Sequence, residues 1–336
     1  MSKGAELAKM GEVLTNGQIG GRRNVIINGG FQIWQRATSI TSAGFSSDRW
    51  RSTTGSGGAY TVSRQEFTTG QTDVPSNPKY FFRHAQTTAF TNTGFNSDRT
   101  RIEDVRTLSG QLCTLTWYMK ADASRTVRVN ITQDFGTGGS PSSDVDTTIV
   151  SSQAITTSWA EYTVTFTMPS INGKTIGSNE DSFIELGFDY RAEVNNTFTI
   201  DIANVQLEAG QATPFENRSY GEELYLCQRY FEVSGTGSNN PGGWNFKNMF
   251  VGISQNTGYV QGQQFLVEKR ADATVVIYSR NGTSGKVSAF NTGSDEGNNH
   301  AINAGGKLGF HAVARDSGTF TAGQGYEYGY TADAEL

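Results

Sequence analysis

The sequence predicts an all-β protein, both from its composition and from the alternation within its apolar segments. The 336 residues include 40 glycines and only 6 prolines, and Ser, Thr and Asn are concentrated between short apolar runs. This composition is typical of many short strands joined by tight turns. In residues 113–121, Leu115, Trp117 and Met119 alternate with more polar residues. Such a period of two indicates an antiparallel strand that is buried on one face.

The chain is longer than a single hydrophobic core usually requires, so more than one domain is expected. A polar, glycine-rich stretch at 235–243 is typical of a loop and separates two sets of strand patterns. The predicted parts are an N-terminal segment with a short helix, a jelly-roll β-sandwich, a short linking helix and a C-terminal β-sandwich domain. Their predicted bounds are 1–23, 24–215, 216–231 and 232–336.

The N-terminal segment places Leu7, Met10 and Leu14 at helical spacing, and glycines follow them. An isolated helix this short is only marginally stable in water. Such a helix packs either on its own domain or on another protein; we favour the second, with these three residues making the attachment.

Strand patterns fill both predicted β domains. In the first domain they are NVIIN, YTVSRQEF, KYFFRHAQT, QLCTLTWYMKAD, TVRVNITQDF, WAEYTVTFTMP, SFIELGFDY and NTFTIDIANVQLE. Their number and spacing indicate a two-sheet sandwich or jelly roll. In the second domain they run from NMFVGIS to GYEYGYTADAEL. Tyr326, Tyr328 and Tyr330 recur there at every second residue, and we expect them to line one strand face and to pack between subunits.

The segment 216–231 interrupts the strands with a helical pattern. Ser219 is a suitable N-cap, and Glu222 and Glu223 follow it where the helix dipole favours negative charge. Leu224 and Cys227 continue at near-helical spacing. The sequence therefore predicts a helix of two or three turns.

Charge and cysteine content exclude several classes of partner. The net charge is −5 without a Lys/Arg cluster, which argues against nucleic acid as a partner. Cys113 and Cys227 are far apart and match no disulfide framework or zinc motif, so two buried thiols are expected. The N-terminal residues contain no long apolar run, which predicts neither a secretory signal nor membrane insertion.

The sequence does not predict an enzyme. It contains only three histidines, and no HExxH, GxSxG or GxGxxG motif occurs. Paired carboxylates could support glycoside hydrolysis. The pair Asp144 and Asp146 is interpreted instead as part of a polar loop, and the pair Glu222 and Glu223 as a helix start.

Five segments occur in the order found in a known class of β-sandwich. They are NVIINGGFQIWQR, SSDRW, VRTLSGQLCTLTWYMKAD, SWAEYTVTFTMPS and IDIANVQLEAG. Over residues 24 to about 210, the chain resembles carbohydrate-binding modules of the family 4/9 type, which are jelly rolls. The resemblance implies that Phe31, Ile33 and Trp34 pack in the jelly-roll core and at its edge. The glycines before them would allow a close backbone approach, and Arg36 would pair with a nearby carboxylate.

The same resemblance implies a structural calcium ion, bound by backbone carbonyls near the first strand and by a carboxylate in the last. The matching strand here contains Asp201 and Asn204 in place of the usual Asp pair. An amide oxygen is a weaker calcium ligand than a carboxylate. Calcium is therefore kept only as a possible cofactor, with Asp201 and Asn204 as its ligands, and no other cofactor is expected.

A second resemblance extends over nearly the whole chain. GRRNVIINGGFQIWQR, ATPFENRSYGEELYLCQRYFE, GYVQGQQFLVEKRADATVVIYSRNGTSGKV and YTADAEL are similar to segments of tail fibres and related structural proteins of tailed bacteriophages. The resemblance implies a homotrimer located in the virion tail, assembled in the host cytoplasm and attached by its N-terminal segment to another virion protein. It also implies adhesion to a host surface glycan. The alternatives are a capsid or tail component without a receptor role and, less favoured, a depolymerase.

Glycan binding requires exposed aromatic rings with polar groups beside them. Four tryptophans fall in strand patterns and are assigned to cores: Trp34, Trp50, Trp117 and Trp159. Trp244 lies instead in a Gly/Asn-rich loop, where receptor contact or a subunit interface competes with plain packing. The candidate receptor residues are Trp244, Asn245, Tyr259 and His300, of which His300 is also readily explained as a loop residue.

Overall fold

The computed structural model confirms the all-β fold class. It describes residues 22–92, 96–234, 248–252, 257–258, 262–302, 306–315 and 320–336. The predicted helix with Leu7, Met10 and Leu14 lies outside these residues. The chain forms two compact units. The first contains the described residues up to Gln32, then Ser39–Ser46 and Trp50–Arg218, and the second contains Ile33–Thr38, Ser47–Arg49 and Ser219–Leu336.

Two antiparallel six-stranded sheets form the first unit. In spatial order, the first sheet contains β1 (Ser39–Ile40), β4 (Ala59–Glu66), β5 (Tyr80–Thr88), β12 (Phe198–Ala209), β7 (Leu112–Ala121) and β10 (Ala160–Thr167). The second sheet contains β2 (Gly44–Phe45), β3 (Trp50–Thr53), β6 (Ser97–Glu103), β11 (Phe183–Asp189), β8 (Arg125–Asp134) and β9 (Val145–Ile155). A 3₁₀ turn at Arg191–Glu193 follows β11. The predicted sandwich is thus present.

Alternating side chains from both sheets fill the core of the first unit. Trp50 from the second sheet is fully buried and stacks on Phe188, with ring centroids 6.3 Å apart. Trp117 from the first sheet contacts the same Phe188 ring at 5.7 Å. Aromatic pairs at such distances add to the stability that their buried area provides. The predicted core positions of Trp50 and Trp117 are confirmed, whereas Trp159 is half-buried in a separate cluster with Phe81.

The stretch NGGFQIWQR divides between the two units. Gly29 accepts a hydrogen bond from Val205 N at 2.9 Å, and a Cβ atom at Gly29 would collide with the Val205 carbonyl oxygen. This close approach explains the glycine, as predicted. Phe31 is buried in the first unit beside Trp50. Ile33 and Trp34 are also buried, but they belong to the second unit, so their expected place in the jelly-roll core is corrected.

Helix α1 spans Tyr220–Gln228. The Ser219 side chain accepts a hydrogen bond from Glu222 N at 3.3 Å, so the predicted N-cap is confirmed. The helix is shorter than the predicted 216–231 at both ends. It begins only after this cap, and the chain turns into a strand at Phe231. In the described residues, no helix is both long and apolar enough to cross a membrane.

Strand β23 (Gly325–Asp333) is the centre of the second unit, because four strands pair with it. These are β13 (Phe231–Val233), β14 (Asn248–Val251), β17 (Thr274–Tyr278) and β18 (Val287–Ala289), and β18 also pairs with β19 (Asp295–Glu296). The remaining strands form a three-stranded and a two-stranded sheet. They are β15 (Thr257–Gly258), β22 (Ala312–Arg315) and β20 (Asn299–Ile302), and β16 (Gln263–Gln264) and β21 (Gly309–Phe310).

The tyrosines of β23 lie inside this unit. Tyr326, Tyr328 and Tyr330 are at most 2 % exposed and belong to its hydrophobic core, where Tyr326 stacks on Phe250. The expectation that they pack between subunits is therefore wrong. A strand with neighbours along both edges has no free edge, and its apolar face packs against the core of its own unit.

Both cysteines are free and buried, as predicted. Burial raises the pKa of the Cys113 thiol to about 11 and that of the Cys227 thiol well above its ordinary value. Thiols that remain protonated react slowly, because the thiolate is the nucleophile. They act here as small core residues.

A cluster of charges in the second unit confirms the predicted pairing of Arg36. Its guanidinium lies 3.5 Å from Asp48 Oδ1, 3.1 Å from Asp333 Oδ2 and 3.3 Å from Glu335 Oε1. Asp48 is fully buried, and burial raises the pKa of this carboxyl to about 6; Arg36 opposes the shift, and Glu335 adds to it. Ionised Asp48 is therefore less stable in the folded protein than in water.

Replacing Asp48 with Asn should change the pH dependence of stability. The folded pKa of about 6 lies above the ordinary 3.8, so protonated Asp48 favours folding. This contribution is complete below pH ~4 and is lost as the pH rises through ~6. One pKa unit corresponds to about 1.4 kcal/mol. Between pH ~4 and ~8, the free energy of unfolding of Asp48→Asn should therefore rise by about 2–3 kcal/mol relative to that of the wild-type protein. Denaturant unfolding measures this, and a pH-independent difference would contradict it.

Candidate functional site

The structure describes none of the four side chains that the sequence proposes for receptor contact. Trp244, Asn245 and Tyr259 lie outside the described residues. His300 lies in β20, where its backbone pairs with Ala314 of β22, and its side chain is not among those described. These assignments, like the attachment role of Leu7, Met10 and Leu14, remain predictions.

The second sheet of the first unit carries a polar outer face. Strand β11 lies between β6 and β8, and β9 pairs with β8. The register aligns three rows of residues across these strands, on the face opposite the buried side chains of Val129 and Leu186. The rows are Arg99, Gly187, Asn130 and Thr148; Arg101, Glu185, Thr132 and Asp146; and Ser97, Asp189 and Arg128.

Most of these residues, together with Arg191, line a groove of about 140 Å³, here called the outer groove. Gly187 lies between Arg99 and Asn130, and its row is the central one of the three across the sheet. A Cβ atom at Gly187 would meet the Arg99 side chain only at 3.5 Å, so packing alone does not require glycine there. The missing side chain leaves space at the centre of the groove.

Ion pairs hold part of the outer groove in a fixed arrangement. Glu185 accepts from Arg99 Nη1 at 2.7 Å and from Arg101 Nε at 2.9 Å. Asp189 pairs with Arg191 at 2.6 Å. Glu185 and Asp189 are buried, but the three arginines remain in contact with solvent, which limits the stability that each ion pair contributes. Their consequence is geometric, because donors and acceptors have set positions along the groove.

Arg128 is held differently. Its Nη2 donates to Thr148 Oγ1 at 2.8 Å, and the Thr148 hydroxyl donates to Asn130 Oδ1 at 3.3 Å. Arg128 Nε has no hydrogen-bond partner among the described residues. Next to this chain, Asp146 accepts from the Thr132 hydroxyl at 2.6 Å. The groove thus offers a guanidinium, an amide and a carboxylate side by side.

The carboxylates considered for catalysis lie in different environments. Burial raises the pKa of Asp144, and neighbouring carboxylates contribute, whereas Asp146 is bonded to Thr132. Glu222 and Glu223 lie in the first turn of α1. Asp146 thus lies in β9 and not in the expected polar loop, whereas the expected helix start at Glu222 and Glu223 is confirmed.

Asp201, the one carboxylate among the implied calcium ligands, is paired with cations of the protein. Both oxygens of Asp201 accept from Arg83, at 2.7 and 2.8 Å, and Lys120 Nζ lies 3.7 Å away. Near the start of the chain, Arg218 donates to the carbonyl oxygens of Asn24 and Ile26. This arrangement does not fit a calcium ion at these oxygens. Of the described residues, no three or more His, Cys, Asp or Glu side chains group to hold a metal.

The outer groove was not predicted, although part of its signal is present in the sequence. Arg128, Asn130 and Thr132 alternate with apolar or buried residues in β8. Glu185, Gly187 and Asp189 alternate with apolar residues in β11. Alternation places each set on one face. The pairing of the two strands, which joins these sets, depends on contacts between residues far apart in sequence.

Parts of this chain are similar to several solved structures. No family model and no curated protein sequence matches the chain. A cellulose-binding domain of Cellulomonas fimi β-1,4-glucanase C is 16 % identical with a TM-score of 0.30, over 42 % of this chain and 88 % of that one. The tailspike protein 4 domain of bacteriophage CBA120 is 14 % identical with a TM-score of 0.34, over 56 % and 21 %. A putative sugar-binding protein of Bacteroides thetaiotaomicron is 13 % identical with a TM-score of 0.35, over 56 % and 100 %.

Proposed function

We propose that the chain is a structural protein of a bacteriophage tail, a tail fibre, that adheres to the host by binding a surface glycan in the outer groove. It acts by binding and not by catalysis. The tail assignment rests on the sequence resemblance. The glycan assignment rests on the outer groove.

The observation that carries the glycan assignment is the mixed polar lining of the outer groove. Its arginines and carboxylates are equal in number, so it attracts neither polyanions nor polycations strongly. A glycan hydroxyl both donates and accepts, and Arg128, Asn130 and Asp146 offer both kinds of partner within one stretch. Several weak contacts of this kind become tight attachment when a trimer presents three copies at once.

Replacing Arg128 with Ala should weaken glycan binding at least about tenfold, because a hydrogen bond to a charged group contributes about 1.5–3 kcal/mol. Isothermal titration of the purified chain with host envelope polysaccharides measures the effect. Arg106→Ala is the matched control, because Arg106 is exposed and pairs with its near neighbour Asp104. Equal affinity of Arg128→Ala and wild type for a bound polysaccharide would exclude the outer groove as the site.

The alternative is a capsid or tail component that connects or covers without contacting a receptor. It predicts no binding to any host polysaccharide. Electron microscopy of intact particles distinguishes the two roles, because a tail fibre projects from the tail with residues 1–23 at a neighbouring protein. Both β domains lying flat on the particle would favour the alternative.

A further inference from the structure

A second concavity lies on the outer face of the first sheet, within the first unit. It has a volume of about 400 Å³ and is here called the first-sheet cleft. This size is at the lower end of the range found for small-molecule sites. The side chains that matter for its chemistry are Tyr118, Glu161, Asn204, Phe215, Pro75 and Pro214.

The backbone beside the cleft is irregular at Asn204. The pairing of β12 with β7 shifts register between Ala203 and Gln206, which is a β-bulge. Asn204 has a φ of 48°, in the left-handed region. Bulges redirect side chains and are frequent beside binding sites, and strained non-glycine residues cluster there as well. The bulge thus gives Asn204 an orientation that a regular strand would not.

The amide of Asn204 leaves an acceptor unused. Its Nδ2 donates to the Pro75 carbonyl oxygen at 3.2 Å, which fixes the amide orientation. Its Oδ1 is buried and has no hydrogen-bond partner in the part of the chain that the structure describes. Asn204 as a whole is only 1 % exposed. Buried polar atoms nearly always have a partner, so this one indicates a missing donor.

The remaining lining combines one carboxylate with apolar rings. Tyr118 Oη donates to Glu161 Oε2 at 2.6 Å and thereby holds the carboxylate in place. Glu161 itself is exposed and is the one charged residue among the described residues that line the cleft. Tyr118, Phe215 and the two prolines provide apolar surface. Aromatic rings of this kind pack against the C–H face of a sugar.

We infer that the first-sheet cleft binds one neutral pyranose ring of a glycan. The apolar face of the sugar packs against Tyr118 and Phe215, and its hydroxyls donate to the Glu161 carboxylate and to Asn204 Oδ1. An acidic sugar is disfavoured, because its carboxylate would meet Glu161 without a compensating cation. The site lies on the other sheet from the outer groove and does not depend on it.

The test measures binding of methyl glucoside, methyl galactoside, methyl mannoside and glucuronic acid by saturation-transfer NMR and titration. We expect at least one neutral glycoside to bind in the millimolar range, and glucuronic acid to bind more weakly. Glu161→Gln keeps the shape of the side chain and should weaken binding about tenfold. Ala212→Trp places a large ring at an exposed position of the cleft and should abolish binding.

Matched controls separate this site from the outer groove and from loss of folding. Ala154→Trp introduces the same ring at an exposed position of β9 and should leave glycoside binding unchanged. Each cleft variant is also combined with Arg128→Ala, so that binding in the outer groove does not mask a loss of binding in the cleft. Thermal unfolding verifies that each variant is folded. The inference is overturned if no neutral glycoside binds at millimolar concentrations, or if binding survives both cleft variants. Failure of polysaccharide binding in the outer groove alone would overturn only the proposed function.

Discussion

Replacing Lys269 with Met should destabilise the second unit by about 3–5 kcal/mol, because it leaves a buried carboxylate without its cation. Lys269 and Glu232 are both fully buried, and their charged groups lie 2.7 Å apart. Lys269 Nζ also donates to the carbonyl oxygens of Gln228 at 2.7 Å and Val267 at 2.9 Å, so all three of its protons are used. Burial lowers the pKa of Lys269, and the bond to Glu232 opposes this.

Denaturant unfolding of the variant measures the loss. The double variant Lys269→Met with Glu232→Gln tests its cause, since Gln can still accept from Tyr330 Oη and Leu266 N. If the cost arises from the unpaired charge, the double variant should recover at least about 2 kcal/mol relative to the sum of the single variants. Simple additivity would show that lost packing, and not the charge, causes the effect.

Replacing Arg218 with Met should destabilise the first unit by a similar amount. Its guanidinium donates to the carbonyl oxygen of Ile26 at 3.0 Å, to that of Asn24, and to Glu216 Oε2 at 3.3 Å. Hydrogen bonds from a charged donor contribute about 1.5–3 kcal/mol each, and the carbonyls would be left unsatisfied. We expect a loss of about 3–5 kcal/mol in denaturant unfolding.

The same experiment addresses the calcium that the family resemblance implies. Arg218 and Arg83 already supply positive charge at the oxygens in question. We therefore expect neither calcium nor a chelator to change the unfolding of the wild-type protein. A rise in stability with added calcium would contradict this expectation and restore Asp201 and Asn204 as candidate ligands.

Local sequence patterns predicted the elements well. Alternation in 113–121 indicated β7, because a period of two places successive side chains on opposite faces wherever the strand lies. Ser219 indicated the start of α1, because capping involves residues within one turn. The glycine at position 29 indicated a close backbone approach. Each of these predictions depends on neighbours in the chain.

Predictions that depended on which surface a side chain meets were less successful. Ile33 and Trp34 are buried, as their hydrophobicity requires, but in the second unit. Tyr326 and its two neighbours in β23 are buried in their own unit and not between subunits. Hydrophobicity predicts that a side chain leaves water, and it does not identify the surface that covers it.

The sequence by itself determined that this protein is built from short antiparallel strands, that α1 interrupts them, that both thiols are buried and that Arg36 pairs with carboxylates. Only the tertiary structure decided where binding surfaces can form. The outer groove requires the registers of β6, β8, β9 and β11, and the first-sheet cleft requires the bulge at Asn204 and the packing of Phe215. Both arise from pairings between residues that are distant in the chain. Neither periodicity nor composition specifies which distant residues pair.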